Sequence, residues 1–500
     1  MSLLTPLAGA EPAPPEPTGA SLAWTSRDPA VVHARHLLEE GQFARAEAEM
    51  ELSAANQPAR AEMIEIIGRI RNEYPLSAEE LVAKFQASLP GTTVADIERW
   101  RAAGEVNWRM IDGKPAYFRR EPANLFRFCG EAKNRRTTKD EAPAGGWTLA
   151  AHLKQVIAEA ERTGLAYVQP IKHRVTYSLT VPAGAPGMKA GATVRVWLPF
   201  PQEHRRQGEV KLISASPAGA TIAPIEAAQR TVYFEQRVTD PAKPLVFSEV
   251  IEFTSTAYCP NLDNTKALPL PTDYAGGCLS ERPPHIIFTP QLRKAVAEAV
   301  GNETDPLVRA RGIFHWIGDH IAYHAELEYG VIPSFSTKAL AVRRGDCGVQ
   351  AMLFITMCRC AGIPARWQSG WETKPVGSDM HDWAEFYIRP QPDSPLYRQL
   401  SSQPSGSGLD RDGGAWLPCD VTYGQELKDN TDPKIRDFYC GHIDSYRLIV
   451  NRDYGAELFP PKKSLRSEPA DFQRGEVEID GRNLYFNVWT YEVNMERGVK

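Results

Sequence analysis

The sequence predicts an α+β multidomain chain: an N-terminal helical region of winged-helix-like order, a β-sandwich, and a mixed helix-and-sheet core that carries the chemistry. Three observations predict it. Helix caps and helical spacing mark residues 28–165, and an alternation of period two marks residues 171–258. Beyond residue 290, an apolar helix with sharp ends is followed by alternating strands. A length of 500 residues fits about three domains.

Residues 1–27 read as a disordered leader rich in Pro and Ala. They lack the basic n-region and the full apolar stretch of a secretory signal, though a trimmed signal tail is an alternative. In the helical region, Asp28-Pro29 is a cap followed by proline at the first helical position, and Gly41 is the stop. Ser77 and Glu80 have capping-box spacing, and residues 94–104 add a short helix closed by Gly104. Residues 107–118 read as a hairpin around Asp112-Gly113. Arg119, Arg120, Arg127, Arg135 and Arg136 read as the basic edge of a packing module, with nucleic-acid binding as the disfavoured alternative.

In residues 171–258, Val175, Tyr177, Leu179 and Val181 share one strand face, and Val194, Val196 and Leu198 repeat the pattern. Residues 259–289 are turn-rich and read as a linker. Its Cys259 and Cys278 form either a disulfide or two free thiols. Residues 290–500 are the core, including a Pro/Ser/Gly-rich insertion at 390–414. Its last strands, 476–494, turn at Asp480-Gly481 and are expected to pack back onto the sheet.

Composition narrows the function. Asp+Glu 62 against Lys+Arg 57 leaves a net charge of −5, which argues against nucleic acid as the main partner, since phosphate binding needs a basic excess. No apolar run approaches the roughly 20 residues that cross a bilayer, so no integral membrane segment is expected. Eight cysteines are too sparse for a disulfide scaffold but leave room for one that reacts.

That cysteine is Cys347. Asp346 caps a helix that Gly362 and Pro364 terminate, so Cys347 takes the first helical position. There the unpaired N–H groups and the helix dipole favour a thiolate. A nucleophilic cysteine needs an imidazole, and His381 opens an alternating strand that a hairpin returns towards the helix start. The imidazole needs an orienting group, and Asp420 stands on the next strand-like run. Glu385 shares the His381 face but lies about 13 Å along the strand. A zinc site does not fit: Cys347 and Cys358 are about 16 Å apart along the helix, Cys358 and Cys360 face different sides, and Cys440 with His442 has no partner pair. The sequence predicts no metal and no cofactor, calcium included.

The pieces Arg344-Gly-Asp-Cys347, Gly362-Ile-Pro-Ala-Arg366, His381-Asp-Trp383 and Trp416-Leu-Pro-Cys-Asp420 resemble the transglutaminase-like superfamily over about residues 300–450, in the manner of its bacterial multidomain members. The resemblance implies a papain-like core with Cys347 as nucleophile, His381 as base and then acid, and Asp420 as orienter. It also implies an oxyanion donor, either the Cys347 N–H or the side chain of Trp316 or Tyr323. Trp367, Trp371, Trp383 and Trp416 are candidates to line the substrate site. The expected function is thiol-dependent acyl transfer on carboxamides of a protein or peptide substrate, by transamidation or deamidation. A cysteine protease or amidase with the same triad, or a non-catalytic multidomain binding protein, is the alternative. The resemblance slightly favours an extracytoplasmic location.

Overall fold

The structure is a computed structural model that describes residues 21–499 apart from 53–57, 139–145, 273, 376–378 and 404–407. Most of the expected leader therefore lies outside the described residues. Its end does not match the expectation, because Leu22–Thr25 form a helical turn with Ala23 buried against the helices that follow.

The local signals of the helical region act as read. The Asp28 side chain accepts from Ala30 N–H with Pro29 at the first helical position, and Ser77 and Glu80 close a reciprocal capping box. Helices Pro29–Glu39, Phe43–Glu51 and Pro58–Glu73 share a core built on Val31, Phe43, Ile66 and Ile70. Helices Ala78–Phe85 and Val94–Ala102 share a second core with Tyr117 of the hairpin Trp108–Ile111/Lys114–Tyr117. That hairpin turns at Asp112 and Gly113, both at positive φ. Helix Leu149–Thr163 differs from the expectation, for its apolar face joins the large C-terminal core instead.

The arginines of this region are used internally. Arg119 and Arg120 both pair with Glu328 of the C-terminal core, at 2.5 and 2.8 Å, and Arg474 pairs with the same carboxylate. Arg127 lies over the Tyr323 ring, and Arg135 pairs with Glu131. Burial alone would raise the Glu328 carboxyl, but Arg474, Arg120 and Arg119 hold it down to about 2. The basic edge thus ties the helical region to the core.

Two antiparallel sheets follow. In one, Tyr167–Val181 lies between Thr490–Arg497 and Leu245–Tyr258, with Gln207–Ser216 outermost. In the other, Thr193–Pro199 lies between Glu476–Ile479 and Thr231–Arg237. The faces predicted by alternation are the buried ones: Val175, Tyr177, Leu179, Val181, Val194, Val196 and Leu198 all enter the shared core. The C-terminal strands return to complete both sheets.

The C-terminal core is built on antiparallel strands in the order Ala415–Cys419, Met380–Pro390, Ala365–Glu372 and Arg447–Asn451. Helix Cys347–Cys360 covers one face, where Phe354 meets Phe386 edge-on at 5.9 Å. Helices Pro290–Val300, Pro306–His320 and Phe335–Val342 surround it. Part of the expected linker is built into this unit: Ala267–Leu268 pairs with the end of the Met380–Pro390 strand, and His285 is buried against Phe335. Cys259 and Cys278 are free thiols in separate neighbourhoods, one beside Glu161 and Lys434 and the other beside Arg359 and Arg366. Among the described residues, no helix is long and apolar enough to cross a membrane.

The two sheets and the core share side chains. Trp371, Leu448 and Val450 of the core sheet join the interior shared by the two sheets, and the Trp371 indole stacks on Tyr177 at 5.3 Å. Trp371→Ala is expected to cost about 3–5 kcal/mol, the range for a buried large aromatic. Urea unfolding should show it as a lowered midpoint by near-UV dichroism, and an unchanged midpoint would refute this junction.

Candidate active site

The helix carrying Cys347 begins as predicted. Asp346 Oδ1 accepts from Val349 N–H at 3.1 Å, leaving Cys347 at the first helical position with its side chain buried. Asp420 is also a cap: it ends the Ala415–Cys419 strand, and its Oδ1 accepts from Tyr423 N–H at 3.1 Å. The other oxygen, Oδ2, lies 2.7 Å from His381 Nε2. Two of the three predicted residues are therefore brought together, as a buried imidazole–carboxylate pair.

The third is turned to a different partner. Successive side chains of a strand point to opposite faces. His381, Trp383 and Glu385 point away from the helix, where Trp383 Nε1 donates to Gln368 Oε1 and Arg366 pairs with Glu385. Asp382, Ala384 and Phe386 point towards the helix. The Cys347 thiol accordingly donates to Asp382 Oδ2 at 3.4 Å. Both His381 nitrogens face carboxylates, Nε2 that of Asp420 and Nδ1 that of Glu372 at 3.6 Å. No hydrogen bond joins Cys347 to His381 among the described residues.

Tyr329 completes the surroundings of the thiol. Its hydroxyl donates to Asp382 Oδ2 at 2.7 Å, lies 3.1 Å from Asp346 Oδ2, and accepts from Gly348 N–H at 3.1 Å. Glycine is required at 348, because a Cβ there would strike both the Tyr329 ring and the Asp382 carboxylate. Asp382 Oδ1 accepts from Gln473 Nε2 at 2.7 Å. Burial, then the Asp382 and Asp346 charges, push the Cys347 thiol well above its ordinary value. Burial also raises both carboxyls, Asp382 far up and Asp346 to about 7. Burial and these carboxyls oppose the thiolate that the helix N-terminus favours.

On the far side of the sheet, the His381–Asp420 pair rests on Arg447. This wholly buried guanidinium bonds Glu372 at 2.5 Å and Asp420 at 3.1 Å, lies 3.6 Å from Asp444, and sits over the Tyr423 ring. Burial alone would raise Glu372, but His381, Arg447 and Lys374 hold it down to about 2. Arg447, Glu372, Tyr329 and Asp382 escaped the sequence reading. Asp382 lies inside the motif His381-Asp-Trp383, where the period of two is the signal that could have put it on the face opposite His381. The other three carried no local signal.

The remaining candidates separate. Tyr323 stands close enough to Cys347 and Asp346 for their charges to act on its phenol. Trp316 is instead buried against His320 and Arg343. Trp367, Trp371 and Trp383 are at most 1% exposed and fill cores rather than line a cleft. Trp416 is half-buried under Arg366. Among the described residues, no group of three His, Cys, Asp or Glu side chains could hold a metal.

Residues 293–421 match the model of the transglutaminase-like superfamily, a span that includes Cys347, His381 and Asp420. A thiol-dependent enzyme is the class such a core supports. A structure from Cytophaga hutchinsonii, solved as a candidate cysteine protease, is 15% identical and covers 66% of this chain and 91% of its own, with a TM-score of 0.41. The periplasmic domain of TgpA from Pseudomonas aeruginosa is 16% identical over 56% of this chain and 93% of its own, with a TM-score of 0.24. No curated protein matches the chain.

Two measurements test the site. At pH 7, iodoacetamide should label Cys347 more slowly than the half-buried Cys278 and Cys360, followed by peptide mass spectrometry; preferential labelling of Cys347 at pH 6 would mean that an imidazole holds its thiolate in solution. The second concerns Glu372, whose depressed carboxyl contributes stability above its unfolded value near 4.5 and loses it as pH falls through about 2. Wild type should therefore exceed Glu372→Gln in urea stability by about 3 kcal/mol at most at pH 5, and the gap should close towards pH 2. A gap independent of pH would remove Glu372 from the ion cluster.

Proposed function

We propose that this chain is a thiol-dependent acyl transferase acting on carboxamide groups of proteins or peptides. The observation that carries the reading is the buried His381–Asp420 pair at 2.7 Å, within a matched family segment that also holds a cysteine at the first position of the core helix. Asp420 occupies Nε2, so Nδ1 is the nitrogen that takes the Cys347 proton. The sulfur attacks the carboxamide carbon, and the developing oxyanion is met by the Cys347 N–H or the Tyr323 hydroxyl. The proton on His381 passes to the leaving nitrogen, which departs as ammonia or an amine, and a thioester remains. An amine resolves it with cross-linking, or water resolves it with deamidation or proteolysis.

For this chemistry the thiol must exchange Asp382 for His381. The present geometry is thus a resting arrangement, in which Asp382 and Tyr329 hold the thiol protonated. A second reading, a non-catalytic binding protein, is favoured by one observation: the group beside Cys347 is a carboxyl rather than an imidazole.

A fluorescent primary amine offered with a glutamine-rich protein decides among them. Incorporation that disappears in Cys347→Ala and falls at least about 10²-fold in His381→Ala identifies transamidation through the imidazole. Ammonia or new peptide termini without incorporation identifies hydrolysis by the same residues. Neither product across a range of amides, with wild type folded, leaves the binding protein.

A further inference from the structure

The geometry points to Cys419 and Cys440 as a reversible disulfide site, formed by a peroxide that reaches Cys440 through an adjoining cavity. The two cysteines are antiparallel bridge partners. The flanking backbone bonds run from Asp420 N–H to Tyr439 O at 2.9 Å and from Gly441 N–H to Pro418 O at 2.8 Å. That pattern makes Cys419 and Cys440 a non-hydrogen-bonded pair, the closer of the two kinds, with Cα atoms about 4.5 Å apart and side chains on one face. A disulfide accepts Cα separations of roughly 4.4–6.8 Å. The two thiols face each other, and both are free.

Access differs between them. Both are buried, Cys419 fully and Cys440 at 1% exposure, but only Cys440 lines a cavity of about 690 Å³ between helix Leu149–Thr163 and the segment around Phe438. The chemistry is therefore ordered. The Cys440 sulfur attacks a peroxide oxygen; the O–O bond breaks, one water leaves, and a sulfenic acid forms. The Cys419 sulfur attacks that sulfur, the S–S bond forms, and the second water leaves. Two thiols and one hydrogen peroxide thus give one disulfide and two waters. Cys358 lies beside both thiols from helix Cys347–Cys360, and Cys259 lines the same cavity, so each is a competing partner. Neither is a bridge partner of Cys440, and the register favours Cys419.

The site stands apart from the acyl-transfer reading, and its test needs no activity. Full-length protein is treated with a few equivalents of hydrogen peroxide, capped with N-ethylmaleimide and digested without reduction. The expected result is a peptide containing Cys419 joined to one containing Cys440, two fewer titratable thiols per chain, and full reversal by dithiothreitol. The crosslink should also raise the thermal midpoint by a few degrees, and Cys440→Ser should abolish both the linkage and the rise. Linkage of Cys440 to Cys358 or Cys259, sulfinic acid without linkage, or capping of both Cys419 and Cys440 after the treatment would overturn the assignment. The linkage is read on wild type, so a variant that fails to fold leaves the test intact.

Discussion

Arg447 is the charge around which the candidate site is assembled. A buried guanidinium is tolerated only where its donors meet acceptors that are themselves fixed. Here those acceptors come from separate stretches of chain: Glu372 at the end of one strand, Asp420 at the start of a helix, and Asp444 in the connection before Arg447 itself. Each placement has a further consequence. Asp420 lies 2.7 Å from His381 Nε2, Glu372 faces His381 Nδ1, and Asp444 accepts from the Tyr439 hydroxyl at 2.6 Å. Removing Arg447 would leave three buried carboxyls without their common cation, so the orientation of His381 depends on the residue that holds its two carboxylate partners.

The pleat of the Met380–Pro390 strand imposes the second constraint. His381 and Asp382 are consecutive, and a strand cannot send both to one face. With the helix on the Asp382 face, the register Ser369↔Asp382 and Gly370↔His381 settles which group meets the thiol. A Cβ at Gly370 would strike the Leu448 carbonyl, so the close approach of strands on the His381 side depends on that glycine. A slip of one residue would set His381 in place of Asp382 before Cys347, but it would also turn Phe386 away from the helix and bury Glu385 against it.

The sequence reading succeeded where the signal is local. Asp346, Ser77 and Asp28 are caps because a short polar side chain ahead of an apolar period has few other uses, and the alternating faces of residues 175–181 and 194–198 are buried as read. It faltered where the answer depends on distant chain. The tryptophans look like the lining of a cleft because aromatic residues alternate there. The strands that hold Trp367, Trp371 and Trp383 are buried on both faces, and a strand's own sequence does not state what covers it. Arg447, Glu372 and Tyr329 acquire meaning only when the sheet closes. The helix start favours a thiolate at Cys347, while burial and the carboxyls of Asp382 and Asp346 push its thiol up, and neither is visible in the local sequence.

The two sides of the site are held with unequal strength. His381 is fixed by Asp420 and Glu372, stacks on Trp383 and meets Tyr423 edge-on, all within a sheet anchored by Arg447. The thiol side hangs on Tyr329, which belongs to the single turn Tyr329–Val331. Glu328, next to it, is tied to Arg119 and Arg120 of the helical region and to Arg474. A short turn held by ion pairs to another module moves at lower cost than a strand bonded along both edges and covered on both faces. The Asp382 carboxylate that meets the thiol thus rests on the more lightly held side, through a Tyr329 turn that Glu328 ties to the helical region.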